Sequence, residues 1–196
     1  MTRTSRIERN TRETQITIEL DLDGSGVADI NCSVHFLGHM LDQIARHGRF
    51  DLKVNATGDV EVDAHHTVED TAIALGQAFR KALGAPHGIE RFGHARCPLD
   101  ESIADVTVDL SGRAHAVVNC PNLPEHVGDL PTELFAHFIE SFANNLKANV
   151  HVNVLYGTIG HHMIEASFKA LARALHKATR TTGSDEIPST KGLIEV

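Results

Sequence analysis

The chain carries one five-residue signature twice, as His65-His66-Thr67-Val68-Glu69 and again as His161-His162-Met163-Ile164-Glu165. Each copy opens a run of helical spacing. The first continues through Val68, Ala72, Leu75, Phe79 and Leu83 to a stop at Gly84, and the second through Ile164, Phe168, Leu171 and Leu175. Other landmarks recur in register with the signature. Glu13 stands eight residues before Asp21-Leu22-Asp23-Gly24, and Glu101 eight before Asp109-Leu110-Ser111-Gly112. His39 precedes the first histidine pair by 26 residues, and His137 precedes the second by 24. Two copies are too few for a solenoid.

This duplication predicts an α+β fold: a single domain over residues 1–196, built as an internally duplicated two-layer domain in which each half is a mixed β-sheet covered by helices on one face. The expected repeats run from about 10 to 86 and from about 98 to 180, followed by a tail over 184–196. Alternating apolar residues predict strands at Thr14–Leu20, Ala104–Leu110 and Val150–Leu155. Asp51–Val62 reads as a hairpin turning at Gly58-Asp59. Short helices are expected at Leu37–His47 and Leu130–Asn145. Thr67 with Asp70 reads as a capping box, which would place His65-His66 just before the first long helix.

The chemistry follows from helix geometry. Residues four apart lie about 40° apart around a helix and adjacent residues about 100° apart. Each glutamate can therefore share an ion with a histidine of its own pair, whereas the two adjacent histidines suit different ions. Two metal sites are expected, each drawing a histidine from both tandem pairs. His39 and His137 add one ligand per half, so the set is His39, His65, His66, Glu69, His137, His161, His162 and Glu165. Imidazole and carboxylate without sulfur suit manganese, iron or zinc, and an octahedral carboxylate site leans towards manganese. Ligands at the starts of separate helices point to sites completed between subunits. The other eight of the 14 histidines, His35, His47, His87, His94, His115, His126, His151 and His176, have no matched partner and read as packing or surface residues.

Composition narrows the class. A net charge of −8 argues against nucleic-acid binding. No apolar run approaches the roughly 18 residues of a membrane span, and the basic N-terminus lacks a following apolar segment, so a cytoplasmic protein without membrane contact is expected. Three unclustered cysteines, Cys32, Cys97 and Cys120, fit neither a disulfide framework nor a thiolate site. The tail segment Ile187-Pro188-Ser189-Thr190-Lys191-Gly192 offers hydroxyls, backbone N–H groups and an ammonium, the parts of a phosphate cradle. Arg91 and Arg113, beside turns, can grip the same phosphate. Lys169 lies one turn beyond Glu165, the spacing of an ordinary helix ion pair.

Taken in order, Phe36–Gln43, Ala45–Gly48, His65–Asp70, Arg91–Gly93, Pro98–Glu101, Asp109–Arg113, His161–Lys169 and Pro188–Gly192 resemble the imidazoleglycerol-phosphate dehydratases, over nearly the whole chain. The resemblance implies a hydro-lyase that dehydrates imidazole glycerol phosphate to imidazole acetol phosphate in histidine biosynthesis. It implies two Mn2+ ions per active site on the eight ligands already named, and trimers assembling into a 24-subunit shell. Substrate contacts then fall on Glu13, Arg91, Arg113, Lys169, Ser189, Thr190 and Lys191, and the catalytic carboxylates are Glu13, Glu69 and Glu165. The expected chemistry is loss of a hydroxyl from the carbon beside a metal-stabilised imidazolate, with proton transfer by Glu13 ahead of Asp100 or Glu101. Gly38 and Ala64 depart from the family, which usually has aspartate before the histidine at 39 and often before the first pair; weaker metal binding is the expected cost. A single activity is expected, without the fused phosphatase domain of some relatives. The alternatives on the residues alone are a dinuclear metallohydrolase of a phosphorylated metabolite and a non-enzymatic metal-binding protein.

Overall fold

A computed structural model describes residues 2–85 and 87–194. Met1 of the basic N-terminus, the turn residue Pro86 and the last two positions of the expected tail lie outside the described residues.

The first half runs β1 (Thr4–Asn10), β2 (Thr14–Asp21), β3 (Ala28–Cys32), α1 (His35–Gly48), β4 (Asp51–Gly58) and α2 (His65–Leu83). The second runs β5 (Phe92–Leu99), β6 (Ser102–Asp109), β7 (His115–Asn119), then a small ribbon of β8 (His126–Val127) and β9 (Leu130–Pro131), followed by α3 (Glu133–Leu146), β10 (Asn149–Tyr156) and α4 (Gly160–Thr179). Strand order is β1-β2-β4-β3 in one sheet and β5-β6-β10-β7 in the other. In each sheet the outer pair reached through a helix is parallel and the rest antiparallel. Both sheets are therefore mixed, and the topology repeats element for element apart from the inserted ribbon.

Strict alternation makes the central strands. Ile16, Ile18 and Leu20 of β2 and Ala104, Val106 and Val108 of β6 are all at most 2% exposed, so a one-residue register slip would turn these apolar rows out of the core. Helices cover that face. α2 packs on β1 and β2, and α4 packs on β5 and β6. The halves then meet helix to helix, α2 against α3 and α1 against α4. One continuous apolar core draws on both halves. Phe79 of α2 meets Phe142 of α3 edge-on at 5.7 Å, and Phe138 of α3 meets Phe168 of α4 at 5.3 Å; burial of each such ring contributes about 1.5–3 kcal/mol. Close approach matters as well: a Cβ on Gly76 of α2 would lie 2.6 Å from the Phe142 carbonyl oxygen.

Three expectations are corrected. Asp51–Val62 is not a hairpin; β4 pairs with β2 and β3, and after Gly58 the chain turns straight into α2. Val60 and Val62 are 40% and 71% exposed, so no buried face required a second strand. Thr67 caps nothing. α2 already begins at His65, whose N–H donates to Asp63 Oδ1 at 3.0 Å, and Thr67 is buried inside the helix. β1 and the start of β5 precede the expected repeat bounds, because Thr4–Asn10 has no apolar alternation to reveal it.

Candidate metal centre

Two groups of three side chains form where the helices of opposite halves meet. His39 of α1 joins His161 and Glu165 of α4; His65 and Glu69 of α2 join His137 of α3. Within each group one ligand atom per residue lies within 4.8 Å of the others. The Glu165 carboxylate accepts from His39 Nε2 and His161 Nε2, both at 3.0 Å, and Glu69 accepts from His137 Nε2 at 3.2 Å. Adjacent ligands of an ion about 2.1 Å away would lie about 3 Å apart, so two imidazoles and a carboxylate at this spacing fit a divalent cation.

The fold explains the convergence. The i, i+4 spacing puts His161 over Glu165 on one face of α4 and His65 over Glu69 on α2. The third ligand arrives only because α1 packs on α4 and α3 on α2. α1 is anchored from the other half: Val34, the residue just before it, provides no side-chain cap, and the Asp129 carboxylate accepts the His35 and Phe36 N–H groups at 2.6 and 2.8 Å instead. Burial would raise Glu165, but hydrogen bonds from Lys169, His39 and His161 together with the Lys169 charge bring its carboxyl down to about 2. The Lys169 ammonium sits 2.7 Å from Glu165 Oε1.

His66 and His162 join neither group. Each turns away from its tandem neighbour, with ring planes at 80° and 83° to those of His65 and His161. His66 Nδ1 is 3.1 Å from Asp59 Oδ1, and His162 Nδ1 is 2.7 Å from Glu101 Oε2. Hydrogen bonds to these carboxylates raise the protonation range of both rings. Glu13 sits at the β1–β2 turn, exposed, its Oε2 3.9 Å from His66 Nε2. Asp100, with φ 45°, lies 3.9 Å from the His162 ring on the other side.

The anion-binding candidates gather elsewhere. Arg91 pairs with Asp109 through Nε at 2.7 Å and Nη2 at 3.2 Å, and donates from Nη1 to the Pro188 carbonyl at 2.6 Å. That contact brings Ser189 next to Arg91. Thr190 and Lys191 follow in a turn closed by Gly192 N–H to Ser189 O at 3.0 Å. Arg113 is exposed beyond β6, and its carbonyl accepts from Asn149 at 2.7 Å. The Arg91 backbone N–H donates to Ala178 O near the end of α4. His161 lies at the other end, and at about 1.5 Å per residue the two positions are roughly 25 Å apart.

Sequence reasoning missed two features. Asp70, buried at 5% exposure, accepts from Thr14 Oγ1 and from Arg9 Nε, which ties the Glu13 turn to the start of α2. Arg46 and Arg49 at the end of α1 face Arg173, His176, Lys177 and Arg180 across a groove of about 690 Å³. Burial, and then the charges of Arg180, Arg49 and Arg173, hold His176 below its ordinary range. The spacing Arg173, Lys177, Arg180 on one helical stripe was the available signal.

The model of the family described as imidazoleglycerol-phosphate dehydratase matches residues 32–175. The chain is 50% identical over 197 residues to the imidazoleglycerol-phosphate dehydratase of Streptomyces avermitilis, covering 99% of this chain and 100% of that relative. It is 51% identical over 195 residues to the enzyme of Trichlorobacter lovleyi, with the same coverage. Among solved structures, the dehydratase of Staphylococcus aureus superposes with a TM-score of 0.81 at 34% identity, covering 91% of this chain and 99% of that one. The corresponding protein of Pyrococcus furiosus, solved in complex with (S)-C348, gives 0.83 at 34% identity, covering 96% and 100%. On this ground the chain, with its duplicated fold and its two imidazole–carboxylate groups, belongs to the imidazoleglycerol-phosphate dehydratase family.

Proposed function

We propose that this chain is a manganese-dependent hydro-lyase that converts imidazole glycerol phosphate to imidazole acetol phosphate in histidine biosynthesis. The observation that carries the metal reading is the pair of matched groups, His39/His161/Glu165 and His65/Glu69/His137. Each would hold one Mn2+ ion, and the Nε2 atoms of His66 and His162, which belong to neither group, would complete sites on neighbouring subunits. When bound, the ions supply Lewis acidity and a template for the substrate's imidazole ring.

The chain's own groups do the rest. The substrate joins ring and phosphate through three carbons, far short of the roughly 25 Å between His161 and the Arg91 region. The phosphate grip of Arg91, Arg113, Ser189, Thr190 and Lys191 therefore serves a metal centre on another subunit, and Lys169, beside Glu165, reaches in from the metal side. Trimers packed into a 24-subunit shell supply such interfaces. The cationic groove at the ends of α1 and α4 draws phosphorylated substrate towards the surface. Glu13 is the proton-transfer group. It is exposed, it stands next to His66 Nε2, and no hydrogen bond within the described residues occupies its carboxylate. It removes the proton from the carbon next to the one losing hydroxide; that proton and the hydroxide leave together as water, which returns Glu13 to its carboxylate, and the resulting enol tautomerises to the ketone. The carboxylates Glu69 and Glu165 act by holding the ions. We place the enzyme in the cytoplasm; no helix among the described residues is long and apolar enough to cross a membrane.

The test pairs elemental analysis of purified protein with a ketone assay before and after chelation. Ketone formation that disappears with the metal and returns with Mn2+ supports the proposal. Release of inorganic phosphate without ketone would favour a metallohydrolase, and bound metal with no turnover would favour a storage protein.

A further inference from the structure

The two halves orient the second histidine of each tandem pair with carboxylates from different places. Counted along the repeat, Glu13 in the β1–β2 turn corresponds to Glu101 in the β5–β6 turn, and Asp59 just after β4 corresponds to Gly157 just after β10. In the second half, Glu101 itself accepts from His162 Nδ1 at 2.7 Å. Its other oxygen accepts from Ser102 Oγ and from the Thr158 and Ile159 N–H groups at 2.8, 3.2 and 2.9 Å, so the carboxylate is fully engaged. Position 157 offers no carboxylate, and a Cβ there would lie 2.4 Å from Ser102 Oγ and 2.5 Å from Met163 Cγ, so those side chains would have to move to admit one.

In the first half Asp59 takes that task. Its oxygens lie 3.1 and 3.3 Å from His66 Nδ1, and its N–H donates to the Glu13 carbonyl at 3.1 Å. Glu13 is thereby relieved of holding the ring, and among the described residues no hydrogen bond occupies its carboxylate.

We infer that Asp59 and Glu101 are positioning residues, fixing the ring direction and Nδ1–H tautomer of His66 and His162 so that each Nε2 points outward as a ligand, and that the switch from glutamate to Asp59 in the first half is what frees Glu13 for chemistry. This rests on the proposal that His66 and His162 ligate metal. A ring pinned at Nδ1 offers one lone pair in one direction, and such outer carboxylates commonly govern metal affinity.

The experiment uses the assembled protein, stripped with chelator and titrated with Mn2+ while free Mn2+ is followed by electron paramagnetic resonance. Asp59→Asn and Glu101→Gln should each raise the Mn2+ dissociation constant about 10–100-fold, with thermal unfolding of the metal-free protein unchanged. Asp59→Glu should recover part of the affinity. Wild-type affinity in both variants overturns the inference, as does a loss of affinity matched by a loss of metal-free stability. A wild-type protein that takes up no Mn2+ overturns instead the metal reading on which the inference stands.

Discussion

Gly76→Ala sets two known effects against each other. In the interior of an ordinary helix the change stabilises by about 1 kcal/mol, because alanine restricts the unfolded chain. Here Gly76 is the point at which α2 touches α3. An added Cβ would lie 2.6 Å from Phe142 O, 2.9 Å from Asn145 Cβ and 2.9 Å from Leu146 N. Two of those three atoms are backbone, which no rotamer change can move, so the helices must separate by several tenths of an ångström. Overpacking of this kind costs about 1–3 kcal/mol, and the Phe79–Phe142 contact lies on the same interface. Three contacts under 3.0 Å, two of them on backbone, belong to the upper part of that range, about 2–3 kcal/mol, so after the gain of about 1 kcal/mol we expect a net destabilisation of about 1–2 kcal/mol. The measurement is urea unfolding of the metal-free protein at one fixed protomer concentration, since ligand and subunit association both add apparent stability. A lower midpoint at unchanged slope is expected. A variant as stable as wild type, or more so, would refute the close α2–α3 packing. That packing also brings His137 to His65 and Glu69, so Mn2+ affinity should weaken alongside.

Glu13→Gln should reduce turnover by about 10²–10⁴-fold while leaving bound metal unchanged; equal turnover would remove Glu13 from the mechanism. His66→Ala should lower both metal content and the proportion of large assemblies in size-exclusion chromatography, and full metal occupancy would contradict its role as a ligand. Arg113→Ala, at an exposed position, should raise KM about tenfold or more with little change in unfolding, so an unaltered KM would take Arg113 out of the phosphate grip. Glu165 has its carboxyl held at about 2 against an ordinary 4.5. Its stabilising contribution is therefore complete above the ordinary value and is lost as pH falls towards the lower one. Glu165→Gln should flatten acid unfolding of the metal-free protein over that window, and identical profiles for the two proteins would count against the Glu165–Lys169–histidine network.

The repeat, the central strands and the long helices were legible because each rests on local periodicity. Ile16-Ile18-Leu20 and Val68-Ala72-Leu75-Phe79 state their period within a few residues, and the packing obeys it. The placing of His65 with Glu69 and of His161 with Glu165 was legible for the same reason: i, i+4 spacing on one helix needs no knowledge of the rest of the chain. The edge strand β1 was not, because its register comes from β2 and not from its own side chains. Asp59 was read as the corner of a hairpin and Asp70 as part of a cap, since both make their contacts with residues distant in sequence or across a turn.

Sequence alone determined that two equivalent halves each present a histidine pair, a glutamate one turn on, and a single further histidine. Tertiary structure decided how these combine: His39 with His161 and Glu165, His137 with His65 and Glu69, while His66 turns to Asp59 and His162 to Glu101. The physical reason is that helix geometry orders side chains only along one axis. Which helix lies opposite is set by how the apolar faces of the two halves stack, and that stacking pairs α1 with α4 and α2 with α3.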